Sequence, residues 1–282
     1  MHTPSFVRPN DSANQSRRLH LLVSLVVAFT LFGCSSSVEL TSGWSAQEIR
    51  IDGDNAEWKD ATTRLAGPDV LVGVKNDNKD LYLCLITSNV QTQAQLLALG
   101  TTVWFDTEGK KNKSFGIQFP VTGLLQGRRF NQRPNAEDLR RLIEVAQRQL
   151  EIVGPSGERQ RFADKGCKGI DVHLGYADGT LTYELKVPLH SSADQPYGIN
   201  ADSTKLMSIG LETGNLADAM RGALNAPSQS SAPTGGGRGG GRSGGGGGTG
   251  GGQGSGLGGD APEPLKHWLV VHLAGGSIPG QQ

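Results

Sequence analysis

Short apolar runs cut by turns rich in Asp, Asn and Gly recur from Ile49 to Leu273, and this rhythm constrains the chain to a mainly β fold. Residues 70–75 read as one strand and 81–87 as the next, the second apolar at alternate positions on both sides and so buried on both faces. The Asn-Asp-Asn-Lys-Asp stretch between them supplies the turn, because Asn and Asp tolerate left-handed backbone and bond to their own main chain. Further strands are predicted at 101–106, 114–119, 170–176, 181–187, 205–212 and 267–273, with Asp178-Gly179 closing a hairpin. One stretch departs from period two. Over 135–154, Asn135 can cap, Glu137 and Asp138 fill the first turn, and Leu139, Leu142, Ile143, Ala146, Leu150 and Val153 form one stripe. That pattern predicts an inserted amphipathic helix. A shorter helix is predicted at 216–224.

Many of the 41 glycines crowd into residues 235–259. Glycine loses the most backbone entropy on ordering and has no side chain to bury, so residues 228–264 are expected to be a disordered Gly-rich loop. The strand pattern that follows, Lys266-His267-Trp268-Leu269-Val270-Val271, makes the tract a connection between strands. Closing a loop of about 50 residues costs only about 3–4 kcal/mol, which a core strand can offset. One domain is therefore expected over 49–273, with 274–282 as a tail.

The N-terminal region fixes the compartment. Arg17 and Arg18 precede an apolar run from Leu19 to Phe32, about 14 residues, too short to cross about 30 Å of hydrocarbon as a helix. It reads as the apolar region of a signal peptide. Leu31-Phe32-Gly33-Cys34, followed by three serines, resembles the lipobox of bacterial lipoproteins. The resemblance implies removal of residues 1–33, a diacylglycerol on the Cys34 thiol, and a fatty acid such as palmitate on the new amino group. Several buried acyl chains hold a bilayer stably, so a lipid bilayer is the first expected partner. Residues 34–48 are then a tether. Ser35 in place of Asp implies the outer membrane of a Gram-negative cell envelope.

Cys84 and Cys167 remain in an oxidising compartment, either bridged as a disulfide across a long loop or standing as two separate thiols. Basic and acidic residues number 27 each and are interspersed, which excludes nucleic acid as a partner.

The segment Ile51-Asp52-Gly53-Asp54-Asn55-Ala56-Glu57-Trp58 is followed by Val72-Gly73-Val74-Lys75-Asn76-Asp77 with Asp80-Leu81-Tyr82-Leu83, and later by Tyr183-Glu184-Leu185-Lys186-Val187-Pro188-Leu189. In that order and spacing they resemble family 9 carbohydrate-binding modules and related sandwich domains. The resemblance covers most of 49–273 and implies an antiparallel β-sandwich of immunoglobulin-like or jelly-roll type, in agreement with the strand reading. The inserted helix and the glycine tract depart from it. The matching residues are largely scaffold, with Asp52-Gly53 as a turn and Trp58 as a core plug.

The resemblance further implies carbohydrate binding, in which aromatic rings stack on sugar faces and polar groups meet the hydroxyls. Aromatic residues make up only 6% of the chain, and Trp44, Trp104, Trp268 and Tyr197 are the ligand candidates, each with a core role as the alternative. It also implies calcium. The acidic turns Asp106/Glu108 and Asp77/Asp80 offer carboxylates but match no 12-residue calcium loop, and solvated turns are the alternative. A nucleophile elbow, HExxH and a P-loop are all missing, which points away from an enzyme. Two other readings stand beside the carbohydrate binder. One is a structural or assembly lipoprotein that holds another envelope protein through the helix and loop. The other is a haem-binding sandwich drawing axial ligands from Met207, Met220, His173, His190, His267 and His272.

Overall fold

The computed structural model describes residues 37–67, 69–121, 136–163, 167–214 and 264–275. The expected signal peptide, Cys34, the helix expected at 216–224 with Met220, and the glycine tract lie outside the described residues. Within them the chain builds two sheets. One runs in the order β1 (Ser37–Thr41), β13 (Lys266–His272), β12 (Met207–Thr213), β6 (Thr101–Asp106), β7 (Phe115–Phe119), β8 (Gln149–Val153) and β9 (Arg159–Ala163). The other runs β10 (Asp171–Ala177), β11 (Thr180–Pro188), β5 (Asp80–Thr87), β4 (Leu71–Asn76) and β2 (Gly43–Trp44), with β3 (Thr62–Arg64) also on β4. Neighbours are antiparallel except β1 with β13 and β2 with β4, which are parallel. The expected mainly β sandwich is what the chain forms.

The core follows from strand alternation. Leu81, Leu83 and Leu85 of β5, with Val172 and Leu174 of β10 and Leu181, Tyr183, Leu185 and Val187 of β11, meet Val103, Phe105, Ile117, Phe119, Ile209, Leu211, Leu269 and Val271 from the opposite sheet. The even-numbered residues of β5 point away from this interior. Tyr82, Cys84 and Ile86 pack with Ile49, Ile51 and Trp58 in a smaller cluster on the outside of the six-stranded sheet. Alternation also settles the cysteines. Both are free thiols, because Cys84 belongs to the outer cluster and Cys167 to the interior, on opposite faces of one sheet. The disulfide alternative is therefore corrected: a bridge requires the two Cβ atoms to approach within about 4 Å.

Two other expectations change. Residues 37–44 are not tether. Val38 and Leu40 pack on the core, β1 pairs with β13, and β2 pairs with β4, so residues 37–44 belong to the folded body. The chain crosses between sheets at Ser42, which is buried. The helix of 135–154 is shorter than its stripe. α2 (Ala136–Ala146) buries Leu139, Leu142, Ile143 and Ala146, whereas Leu150 and Val153 lie in β8 between β7 and β9. Spacing of three and four ran on into a strand, where Leu150 faces the core and Val153 the outer face of the sheet.

A second helix, α1 (Val90–Leu99), was not read from the sequence. Asn89 caps it by accepting from the Gln91 and Thr92 amides, and the Gly100 amide, at φ +68, closes its end on the Leu96 carbonyl. Its buried glutamines hide the apolar stripe. Gln93 Nε2 donates to the Thr87 and Gly179 carbonyls, and Gln95 Nε2 to Thr213 Oγ1 and the Gly214 carbonyl, so both satisfy strand ends.

Candidate functional site

The outer face of the seven-stranded sheet carries two adjacent rows of side chains fixed by register. One row reads Arg159, Val153, Gly116, Trp104, Gly210, Trp268, Ser37 across β9, β8, β7, β6, β12, β13 and β1. The next, two residues along each strand, reads Arg161, Glu151, Gln118, Thr102, Glu212, Lys266. Glycine and tryptophan thus alternate along one line, with a polar line beside it. Trp104 and Trp268 sit two strands apart, about 10 Å from backbone to backbone.

Each indole lies flat on a glycine of the neighbouring strand. A Cβ on Gly210 would fall 2.9–3.1 Å from three benzo-ring atoms of Trp268, and one on Gly116 would fall 2.7–2.8 Å from two of Trp104. Side chains at these glycines would lift the rings off the sheet. The outward ring faces differ in access. Trp268 is half-buried. Trp104 is only 8% exposed, with the Lys113 ammonium 5.5 Å from its ring centroid. Glu212 ties this corner together, accepting from Trp104 Nε1 at 3.0 Å and pairing with Lys113 Nζ at 2.5 Å. Burial pushes the Glu212 carboxyl up, but the Lys113 and Trp104 contacts outweigh it and hold the group below its ordinary value. Glu151 behaves alike. Desolvation raises it, while Arg161 at 2.6 Å and Arg159 at 2.9 Å lower it further. Arg159 also donates to Gln118 Oε1. The polar row is therefore a set of ionised acceptors and fixed donors, the groups that hydroxyls need. Replacing Lys113 with alanine is expected to expose the Trp104 ring, read as stronger quenching of indole fluorescence by acrylamide.

The remaining candidates go elsewhere. Trp44, in β2, is 36% exposed at the rim of the six-stranded sheet. Tyr197 lies in the loop after β11, its ring edge-on to Phe162 with centroids 5.3 Å apart. Structure therefore brings together two of the four aromatics, Trp104 and Trp268. In the acidic turns Asp106 and Asp77 spend their carboxylates on neighbouring backbone, and Glu108 pairs with Lys110. Asp106 accepts from the Glu108 and Asn112 amides, and Asp77 from the Lys79 and Asp80 amides and the Tyr82 hydroxyl. Among the described residues no three His, Cys, Asp or Glu side chains gather to hold a metal. Of the haem-ligand candidates, Met207 is in the core opposite Val271 and His267 opposite Leu211, four positions apart on β13, while His272 is exposed.

The outside of the six-stranded sheet is organised around Glu184, which is fully buried. Its carboxylate accepts from Trp58 Nε1 at 2.8 Å, the Gly53 amide at 2.6 Å and the Asp52 amide at 3.0 Å. The Trp58 ring lies on Gly73, and the Gly53 turn, at φ +82, rests on Gly175. The residues that carry the family resemblance thus clasp one another as scaffold. Nearby, burial raises Asp80 from 3.8 to about 6, against the pull of Lys186 and with the help of Asp77 and Glu48. A raised carboxylate contributes stability that is complete below its unfolded value and lost as pH rises through about 6. Asp80→Asn is expected to flatten the fall in melting temperature between pH 4 and pH 7, and to leave the protein at least as stable as wild type at pH 7.

Comparison with known proteins gave no matching family model and no matching curated protein. Among the solved structures that are similar, two are of a carbohydrate-binding module family 9 from Caldicellulosiruptor kristjanssonii, one in complex with cellotriose and one with glucose. The first has a TM-score of 0.30 at 9% identity, covering 63% of this chain and 76% of its own. For the second the values are 0.29 and 8%, covering 62% and 77%.

Proposed function

We propose that the chain is a non-catalytic, carbohydrate-binding β-sandwich held at the cell envelope by an acylated Cys34. The observation that supports the binding role is the paired rows on the seven-stranded sheet, a tryptophan line beside a line of fixed donors and ionised acceptors. Sugars present apolar C–H faces and a rim of hydroxyls, so recognition needs an aromatic plane and hydrogen-bonding groups side by side. Trp268 supplies the reachable plane. Glu212 and Lys266, its neighbours on the polar row, are placed for hydroxyls, and Lys113 must swing aside before Trp104 can join. A flat face of this kind suits an extended glycan that lies across strands.

The anchor rests on the apolar run and the Leu-Phe-Gly-Cys end of the leader. Two experiments test the proposal. Trp268→Ala is expected to weaken glycan binding about tenfold or more, measured by calorimetry against a ligand found by glycan screening. Unchanged affinity in that variant would remove the tryptophan row from the binding role. Metabolic labelling with a palmitate analogue is expected to mark the wild type and to be lost in Cys34→Ser. A mature protein free of fatty acid would remove the anchor.

A further inference from the structure

A second concavity lies away from the tryptophan face, where the loop after β11 crosses the end of β7, β8 and β9. It is a groove of about 410 Å³ whose lining includes Phe115, Ile152, Glu158, Arg159, Tyr197 and Asn200. That volume falls within the range of small-molecule sites. The loop that forms one wall is rigidly built. Asn200 Oδ1 accepts from the Ser191 amide at 2.9 Å, its Nδ2 donates to Ser191 Oγ at 3.2 Å, and Ser191 Oγ donates to the Gly198 carbonyl at 3.1 Å. The Ile199 and Ala201 amides bond to the Pro188 and Leu189 carbonyls. Asn200 itself adopts φ +55, and a Cβ on Gly198 would fall 2.2 Å from the His190 carbonyl carbon, so the wall folds back on itself only with glycine there.

This wall holds Tyr197 in one orientation. Its ring packs edge-on to Phe162 and its hydroxyl donates to Gln160 Oε1 at 3.2 Å. The same lining includes an exposed carboxylate, Glu158, with one oxygen accepting from the Ser156 amide at 3.0 Å, and the half-exposed guanidinium of Arg159, whose Nη1 is bonded to Glu151 and Gln118 and whose other N–H groups are left to donate. An aromatic residue, a carboxylate and a guanidinium therefore line one open space. The aromatic face suits a sugar's C–H surface, and the carboxylate and guanidinium suit its adjacent hydroxyls as acceptor and donor.

We infer that the groove at Tyr197 is a second saccharide site, sized for the end of a chain or a short oligosaccharide. It shares a ligand class with the proposed function but only Arg159 among its residues. Tyr197 is the stacking floor, Glu158 the acceptor and Arg159 the donor.

The test uses the folded protein titrated with maltose, cellobiose, N,N'-diacetylchitobiose and a digalacturonate, to about 10 mM, where a single weak contact is measurable. Assigned aromatic NMR signals of Tyr197 and Trp268 are the readout in the wild type, and calorimetry gives the affinity of every variant. At least one sugar is expected to shift the Tyr197 ring saturably. Affinity should fall about tenfold in Tyr197→Ala and hold in Tyr197→Phe and Trp268→Ala. Because Tyr197→Ala also removes the Phe162 contact, Glu158→Ala serves as a second variant that leaves the ring in place, and it too should weaken binding. Shifts confined to Trp268 overturn the groove site and leave the proposed function standing. Shifts confined to Tyr197 support the groove and count against the tryptophan face. Silence at both rings with every sugar overturns both, as does a Tyr197 shift whose affinity is the same in Tyr197→Ala and Glu158→Ala for the groove alone.

Discussion

Glu184→Ala is expected to destabilise the domain by about 3–5 kcal/mol, because it leaves the Trp58 indole N–H and the Asp52 and Gly53 amides without their acceptor in a buried setting. For a domain of this size the melting temperature should drop by about 10 °C or more. The damage extends past three hydrogen bonds. Trp58 is fully buried over Gly73, and the Gly53 turn is pressed against Gly175, so freeing the segment uncovers Tyr82 and Cys84 beneath it. A melting temperature within about 2 °C of wild type would show that the clasp does not hold this face.

The same carboxyl sets a pH dependence. Burial, with the Asp52 charge, raises Glu184 above its ordinary value even though the Trp58 indole and the Gly53 and Asp52 amides favour the ionised form. Its contribution is therefore complete below the ordinary carboxylate range and is lost as pH rises through the elevated value. Glu184→Gln should abolish that slope while keeping one acceptor oxygen. Its cost should lie between wild type and alanine, as read by thermal melts across pH 4 to 8.

Asn76→Ala is the second large effect, at about 2–4 kcal/mol. Where the N-terminal strand passes from one sheet to the other, Ser42 Oγ donates to Asn76 Oδ1, the Ala274 amide reaches both Ser42 Oγ at 2.8 Å and Asn76 Oδ1 at 3.0 Å, and Asn76 Nδ2 donates to the Ala274 and Asp77 carbonyls at 3.1 Å. Asn76 and Ser42 are 3% and 4% exposed, so their partners cannot turn to water instead. Alanine at 76 unlocks the crossing, and β1 and β2 should lose amide-exchange protection before the strands of the interior. Uniform loss of protection across both sheets would mean that the crossing is no weak point.

Much of the sandwich could be read from residues because strand burial writes itself as alternation. The β4–β5 hairpin, the Asp178-Gly179 turn and the strands of 101–119, 170–187 and 205–273 occur where the pattern places them. What escaped had its signal masked by local chemistry. β1 has only two apolar residues in five, enough for an edge strand and too few to distinguish it from a tether. α1 buries glutamines that answer strand carbonyls from other segments, a role with no local trace. β8 followed a helix whose spacing it continued, and only its neighbours β7 and β9 decided between the two periods.

For the sites the division is sharper. The resemblance, with residue type, nominated Trp44, Trp104, Trp268 and Tyr197, since stacking on sugars requires rings. Which of them act together is a matter of register between strands far apart in the chain. Gly210 lies between Trp104 and Trp268 only because β12 pairs with both β6 and β13. Lys113 over one ring, the polar row alongside, and the wall that orients Tyr197 are likewise contacts across distance. Local sequence thus determined strand, turn and ring, because those depend on a residue and its near neighbours. Tertiary pairing alone decided which rings share a surface, because that depends on where separate strands meet.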